Sequence, residues 1–457
     1  MIVLPHTPPI PIQLKEPGSV LPSHLLALRA ALHVPQLSTS NESIRYVVNL
    51  EEYLEAIVEL TSQNDANRAV FSSNIPWNDL SKTGFKQFFN TVTKKVVLAK
   101  WTLANELRMT LISIGLIYMR IASDLLNETI NIELDIPEKK PQEYSENWKQ
   151  IVNLYKKSIS FFMYGDSIEP NQGSLAKGAL RVNATLFSFL MKISEISIQM
   201  SILAKFLWIN RLSFNYNEQV TTENNVTLAK VAIYCMNELE VVQNLLKTLI
   251  QSAGKKSEAD TELLNLDYTD WEDYLKLVKR YVSAYAGFFL AIQHYREDKL
   301  GNALGLIQFS LLTLQSKQEV KPGNDSMLSR KVTLRKLRNK VAHRKHADIL
   351  QSLNSISTLD LNNSAFNDKS GIVLNDLTYL YDQLIKLNLK LTSENDNLKF
   401  DNIVHWSSVG NDAKWPIGCK IPVSKIEPYK PKKEEASTAA AAAASDNDTY
   451  TGRGSYF

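Results

Sequence analysis

Residues 274–317 decide the fold class, and they read YLKLVKRYVSAYAGFFLAIQHYREDKLGNALGLIQFSLLTLQSK. In the first half, bulky apolar side chains recur every three or four residues, which predicts one apolar face of an α-helix: Tyr281, Tyr285, Phe288, Phe289, Ile292 and Tyr295. The small residues between them would let a second backbone approach closely: Ala284, Gly287 and Ala291. A charged run and Gly301 predict a turn, after which a leucine-rich helix returns.

Such a helical hairpin cannot bury both of its faces alone, and it therefore predicts helical neighbours stacked on either side. From spacing alone, a generic helical repeat is the plain interpretation of this hairpin. The 457 residues include only 16 glycines and 16 prolines, which is typical of an all-α rather than an all-β chain. The predicted class is mainly α, an elongated helical domain with a tetratricopeptide-like core. One small β-sheet is expected at residues 72–100, where aromatic and β-branched residues cluster.

The chain divides into three predicted parts. Residues 1–20 form an extended, proline-rich lead-in that is expected to lie along the surface. Residues 21–430 form one large domain, and residues 431–457, with six consecutive alanines, form a disordered tail. Helices are predicted at 21–33, 41–60, 101–127, 144–164, 173–211, 224–252, 273–317, 326–353 and 375–391. Residues 395–430 are extended and aromatic, as expected of a tether in a groove.

Composition indicates the cellular compartment of the protein and argues against some classes of partner. The net charge of +3 is close to neutral for this length, which argues against nucleic acid as a partner. Two distant cysteines, Cys235 and Cys419, indicate neither a disulfide framework nor a metal site, and they fit a reducing compartment. Cys235 is expected to be a buried, inert thiol. The start of the chain lacks a signal-peptide pattern, and the longest strongly apolar run, 111–119, is too short to span a membrane. A soluble cytoplasmic protein is predicted.

The sequence contains no recognisable catalytic constellation. Phosphate-binding glycine loops, a nucleophile elbow, paired cysteine motifs and the HExxH metal motif are all absent. His343 and His346 are three residues apart, but they lie among lysines and arginines that would repel a cation. No catalytic, cofactor or metal site is therefore predicted. A hydrolase with an unusual site is the remaining enzymatic alternative, and a deep pocket with convergent polar groups would support it.

The one clear charge feature lies between Arg330 and His346, where no acidic residue occurs. The segment includes Arg335, Lys336 and Arg338, which we predict to be partner-binding residues. A solvated helix face is the plain interpretation. An acidic partner helix, an anionic membrane or a nuclear-import receptor are the functional alternatives.

Three segments in order resemble the BRO1-domain family. They are the hairpin, WTLANELRMTLISIGLIYMRIASDLL at 101–126, and VTLAKVAIYCMNEL at 226–239. In the second of these, Glu106 matches an acidic residue of the family, whereas the family's asparagine is absent. The ending FDNIVHWSSVGNDAKWPIGCKIPVSKIEPYKP, at 400–431, is similar to the close of the PalC branch of fungal pH-response proteins.

This resemblance implies a non-enzymatic scaffold without a cofactor, acting in alkaline-pH signalling that leads to proteolytic activation of a zinc-finger transcription factor. The implied partners are the amphipathic C-terminal helix of an ESCRT-III subunit and other members of the pH-signalling complex. The implied location is the cytoplasm, with recruitment to endosomes or the cell cortex, membrane association through partners, and the nucleus as an alternative. Matching positions place Leu228, Lys230 and Val231 at the binding groove, with Ile198 one helix earlier. The rival hypothesis is a helical-repeat module of another endosomal-sorting or nuclear pathway that uses the basic segment 330–346.

Overall fold

The computed structural model describes the greater part of the helical body. The described residues are 1–14 except His6, 21–33, 37, 39–63, 70–72, 76–77, 101–130, 145–168, 184–217, 224–254, 269–316, 357–358, 372–405, 408 and 415–432. The predicted basic segment, with Arg335, Lys336 and Arg338, lies outside these residues. So do residues 78–100 of the predicted sheet region and residues 433–457 of the predicted tail.

Nine helices occur among the described residues, and they confirm a mainly α fold. They are α1 Ser23–Ala31, α2 Ser40–Gln63, α3 Leu103–Ile130, α4 Ser145–Ser167, α5 Ala184–Asn217, α6 Asn225–Gly254, α7 Thr269–Arg296, α8 Leu300–Thr313 and α9 Ile372–Glu394. A π-helical turn, Asn395–Lys399, follows α9. The helices predicted within the described residues are present, although their ends are shifted.

Two short antiparallel strand pairs accompany the helices. Strand β1, Val70–Ser72, pairs with β2, Trp101–Thr102, at the two borders of the predicted sheet region. The prediction that a helix begins at Trp101 is wrong, because Trp101 lies in β2 and the helix starts two residues later. A second pair, β3 Gln315–Ser316 with β4 Ser357–Thr358, was not predicted.

From α2 to α9, each helix packs mainly against the next helix in the sequence. In the hairpin, α7 and α8 lie so close that a Cβ atom on Gly287 would overlap the Ser310 hydroxyl. This confirms that small residues on α7 permit the approach of α8. The aromatic stripe of α7 faces inward, and Tyr281, Tyr285 and Phe289 are at most 2% exposed.

The first residues of the chain run through the core, which corrects the expected surface position of the lead-in. Met1, Ile2 and Leu4 are at most 1% exposed. Their backbone is tied to several helices: the Ile2 amide donates to Ser197 of α5 at 3.3 Å, and the Val3 amide donates to Tyr274 of α7 at 3.2 Å. A short extended apolar segment can therefore fill a seam between helices, since its polar backbone groups find side-chain partners.

A buried carboxylate, Glu106 at the start of α3, joins the first third of the fold. Its Oε1 accepts hydrogen bonds from Arg29 Nε at 2.9 Å and from the Tyr53 hydroxyl at 2.8 Å. Its Oε2 accepts from the indole nitrogens of Trp77 and Trp101, both at 2.7 Å. Glu106 is fully buried and Arg29 is 3% exposed. All four donors point at one carboxylate, so its negative charge is fully solvated by protein groups.

The guanidinium of Arg29 extends this network to the extended segments. Its Nη1 donates to the Ile12 carbonyl at 2.9 Å, and its Nη2 donates to the Pro76 carbonyl at 2.7 Å. Burial by itself would lower the pKa of Arg29, but Glu106 and Tyr53 raise it above its ordinary value, so the guanidinium stays charged. The pair thereby fixes the lead-in, α1, α2, the small sheet and α3 against one another.

Two helices, Leu103–Ile130 and Ala184–Ile209, are long and apolar enough to cross a membrane by length and composition alone. In the structure, 83% and 72% of their most apolar windows are buried inside the protein. For α3, which is apolar on nearly all sides, this burial is that of a core helix.

Candidate functional site

The last described segment, residues 415–432, is extended and crosses the helical stack; we call it the strap. It begins at α8, where the Trp415 ring meets Phe309 edge-on with ring centroids 5.4 Å apart. It ends at α2, where the Lys432 amide donates to the Glu55 carboxylate at 3.3 Å. The strap therefore runs against the order of the helices and contacts most of them. This agrees with the expectation of a tether in a groove.

The middle of the strap is fixed to α6 and α5 by backbone hydrogen bonds. The Cys419 amide donates to the Lys230 carbonyl at 3.0 Å. Gln199 pairs with both backbone groups of Ile421: its Oε1 accepts from the amide at 2.9 Å, and its Nε2 donates to the carbonyl at 3.0 Å. Gln199 is only 3% exposed. Its side-chain amide pairs with the Ile421 backbone in the way that the backbone of a neighbouring strand would.

The end of the strap is anchored by Tyr429. Its amide donates to the Ser160 carbonyl of α4 at 3.0 Å, and its ring stacks on Phe161 with centroids 4.5 Å apart. Its hydroxyl donates a short hydrogen bond to Glu55. Partial burial and the bond to this carboxylate raise the pKa of Tyr429, so the hydroxyl keeps its proton at neutral pH.

The predicted groove residues separate into two groups. Ile198, Leu228 and Val231 are 1–2% exposed and belong to the core between helices. Lys230 is half-buried, and its backbone carbonyl holds the strap. The physical reason is helical periodicity, because Leu228 and Val231 lie on the inner side of α6 and Lys230 lies on its outer side. Partner binding at these positions stays a prediction, but the three apolar side chains offer no surface in this structure.

The outer side of α6 carries a stripe of residues spaced by four or seven positions, which places them on one helix face. Val226 is 39% exposed and Val241 is 44% exposed, and half-buried Lys230 and Tyr234 lie between them. We call these four residues the α6 stripe. The strap crosses it in the middle, where Cys419 bonds the Lys230 carbonyl and Gly418 lies against the Tyr234 backbone. Partial burial, together with the nearby Glu238, raises the pKa of Tyr234 to about 12, so its hydroxyl is neutral at physiological pH. The stripe is therefore mainly apolar, with one cation.

Among the described residues we find no arrangement of side chains typical of a catalytic site. No group of three His, Cys, Asp or Glu side chains among them is placed to hold a metal ion. An open hollow of about 500 Å³ lies beside the end of the strap, and its walls include Glu51, Glu55 and Lys430. The two glutamates already accept hydrogen bonds from Tyr118 and Tyr429. Cys235 is buried, as predicted, and burial raises the pKa of its thiol.

Sequence reasoning did not find the residues that hold the strap. Gln199, Ser160 and Glu55 are ordinary polar residues of amphipathic helices, and nothing in their spacing marks them. The signal that could have found them lies in the strap itself. Its apolar residues Ile421, Val423 and Ile426 pack against the core and are separated by one or two exposed residues. A spacing of two to three positions indicates an extended segment with one face on a surface.

A protein-family model matches residues 101–457, and its description is a family of unknown function, DUF5355. The chain belongs to this family. The match covers most of the chain of this DUF5355 protein, including α3 to α9 and the strap. No curated protein matches the sequence.

Solved structures provide two further comparisons. A structure reported as the basis for endosomal targeting by the Bro1 domain is 15% identical, with a TM-score of 0.46 over 93% of this chain and 86% of that chain. ALIX in complex with the SIVmac239 PYKEVTEDL late domain is 12% identical, with a TM-score of 0.44 over 96% of this chain. This DUF5355 chain spans 53% of the ALIX chain.

The strap should be released by a side chain at Gly418. A Cβ atom there would lie 2.6 Å from the Tyr234 amide nitrogen, so Gly418→Val forces the strap away from α6. We expect the Cys419 and Ile421 amides to exchange with deuterium at least about tenfold faster, while exchange in α3 is unchanged. Ile417→Val is the matched control, because Ile417 is 91% exposed. Equal protection in Gly418→Val and wild type would show that the strap is not held through this contact.

Proposed function

We propose that this chain is a non-enzymatic, BRO1-like scaffold that holds an amphipathic helix of an ESCRT-III subunit in endosomal sorting. The observation that carries the proposal is the α6 stripe, whose two exposed valines lie on the outer face of an amphipathic helix. An amphipathic partner helix recognises such a stripe through apolar side chains at positions spaced by three and four. The resemblance of residues 101–126, 226–239 and 274–317 to BRO1 domains supports the choice of partner.

The structure changes which residues we expect to touch the partner. Val226, Lys230, Tyr234 and Val241 offer side-chain surface, whereas Ile198, Leu228 and Val231 support them from beneath. An acidic substitution of Leu228 or Val231 would bury an unpaired charge and destabilise the fold. Such a variant therefore cannot separate loss of binding from loss of structure, and surface positions are the better test.

Binding to a labelled peptide from an ESCRT-III C-terminal helix tests the scaffold directly by fluorescence anisotropy. Val241→Asp removes an apolar contact, and Lys230→Glu reverses the one charge of the stripe. We expect each variant to bind about tenfold more weakly, a loss of about 1.4 kcal/mol. Val48→Asp is the matched control, because Val48 is 57% exposed on α2, and we expect unchanged affinity.

Two results would contradict this assignment. If wild type fails to bind the peptide, the ESCRT-III partner is wrong. The rival, a helical-repeat module that binds through the basic segment 330–346, would then gain support, above all if charge reversal at Arg335, Lys336 and Arg338 abolishes localisation. If Val241→Asp and Lys230→Glu bind normally, the partner stands and the α6 stripe is not its site.

We propose further that the scaffold acts in alkaline-pH signalling. The support is the similarity of residues 400–431 to the close of PalC proteins, since the strap lies within this segment. The pathway ends in proteolytic activation of a zinc-finger transcription factor by a separate protease, so the scaffold itself makes or breaks no bond. It would be recruited from the cytoplasm to endosomes or the cell cortex through its partners.

This pathway can be tested in the organism that makes the protein. Deleting the gene should prevent accumulation of the processed transcription factor after a shift to alkaline pH, as measured by immunoblot. Wild type and Val48→Asp should restore processing, whereas Val241→Asp should restore it only weakly. Normal processing in the deletion strain would place the protein in another pathway.

A further inference from the structure

The turn between α7 and α8 packs against the segment that follows α9, and together they form one end of the hairpin. We call Glu297–Gly301 together with Asn395–Val404 the hairpin tip. Asp401 Oδ2 accepts hydrogen bonds from the Leu300 and Gly301 amides, at 3.0 and 3.3 Å, at the start of α8. The Val404 amide donates to the Gly301 carbonyl at 3.2 Å. These three hydrogen bonds hold the two segments together.

Further hydrogen bonds fix the turn that carries Phe400. The side chain of Asn395 bonds both backbone groups of Asp401, with its Oδ1 accepting at 2.9 Å and its Nδ2 donating at 3.1 Å. The Phe400 amide donates to the Asn395 carbonyl at 2.8 Å. Lys399 forms an ion pair with Asp298, across the tip, at 2.8 Å. The position of Phe400 is thus determined by its neighbours and not by its own packing.

Backbone strain is concentrated at the same place. Among the described residues, Asp298 (φ 61°) and Phe400 (φ 55°) are the two non-glycine residues with positive φ. Aspartate tolerates the left-handed region, whereas phenylalanine rarely occupies it. Glycine or asparagine would adopt this backbone conformation at position 400 with less strain. Strain of this kind usually accompanies a functional position.

The strained residue is also among the most exposed large apolar residues of the described chain. Phe400 is 75% exposed, Leu398 is 72% exposed and Ile403 is 37% exposed. A phenylalanine that is neither packed nor relaxed does not stabilise the fold. Three exposed apolar side chains within six residues of the chain are instead typical of an interaction surface.

The charges of the tip indicate which surface it meets. The acidic residues Glu297, Asp298, Asp396 and Asp401 outnumber the basic residues Lys299 and Lys399. Both lysines already pair with acidic neighbours, Lys299 with Glu297 at 2.9 Å and Lys399 with Asp298. The same pairs use Glu297 and Asp298, and Asp401 accepts two amide hydrogen bonds. Four acidic against two basic residues still leave the tip with a net charge of −2. This excess repels an anionic membrane and attracts a partner with lysine or arginine around an apolar face.

We propose that Leu398, Phe400 and Ile403 are a docking surface for a basic amphipathic helix of a partner protein. The apolar face of that helix covers Phe400 and Leu398, and its cations meet the acidic rim. The surface lies at the turn after α7 and after α9, so it is separate from the α6 stripe, and the inference does not depend on the proposed function.

A model peptide can serve as the probe. We would use a fluorescein-labelled helix of about four turns with leucine on one face and lysine on the other. The key variant is Phe400→Asn, which removes the aromatic ring and relaxes the backbone. We expect it to bind the peptide at least about tenfold more weakly while its melting temperature is unchanged or higher. This combination separates a docking role from a structural one.

Matched controls define the remaining outcomes. Ile417→Asn, at a position that is 91% exposed but outside the tip, and Val48→Asp, at a position that is 57% exposed on α2, should both bind like wild type. A peptide with glutamate in place of lysine should not bind. The proposal is overturned if wild type does not bind, if Phe400→Asn binds equally well, or if Phe400→Asn melts at a clearly lower temperature. Sedimentation with phosphatidylcholine vesicles, with or without phosphatidylserine, that depends on Phe400 would identify a membrane site instead.

Discussion

The Glu106 carboxylate is the interaction on which the rest of the structure depends. It is fully buried, and each of its oxygens accepts two hydrogen bonds. A buried charge is costly unless it is paired and fully hydrogen-bonded, so the network forms only when all of its segments are in place. The lead-in, α1, α2 and the small sheet are thereby fixed to α3, the second helix of the continuous stack.

The stack determines where partners can bind. Because each helix packs mainly against the next, the inner faces are used for the core, and the surface is built from outer stripes and from turns. The strap covers part of that surface by bonding the backbone of α6 and α4 and the Gln199 side chain. Among the residues that the structure describes, the α6 stripe and the hairpin tip keep exposed apolar side chains beside it. Both surfaces combine exposed apolar side chains with nearby charged ones, and this combination favours protein partners over small molecules.

The sequence was sufficient to predict the elements whose pattern is local. The hairpin was predicted because its aromatic stripe has helical spacing, and Gly287 shows why small residues interrupt that stripe. Non-local features were harder. The burial of Ile2 and Leu4 could not be predicted, because the seam that accepts them is formed by distant helices. Leu228 and Val231 were placed at a partner surface by family resemblance, whereas their side chains pack inside. Exposure depends on which neighbour covers a helix face, and spacing alone does not give this.

The most direct test is the free energy of unfolding of Glu106→Gln, measured by urea denaturation. The glutamine side chain would place an NH2 group opposite hydrogen-bond donors that contact an oxygen in wild type. Arg29 would also lose its counter-ion. We predict a loss of about 3–5 kcal/mol. Glu52→Gln, an exposed substitution on α2, should change stability by no more than about 0.5 kcal/mol. A loss below about 1 kcal/mol for Glu106→Gln would contradict the central role of this carboxylate.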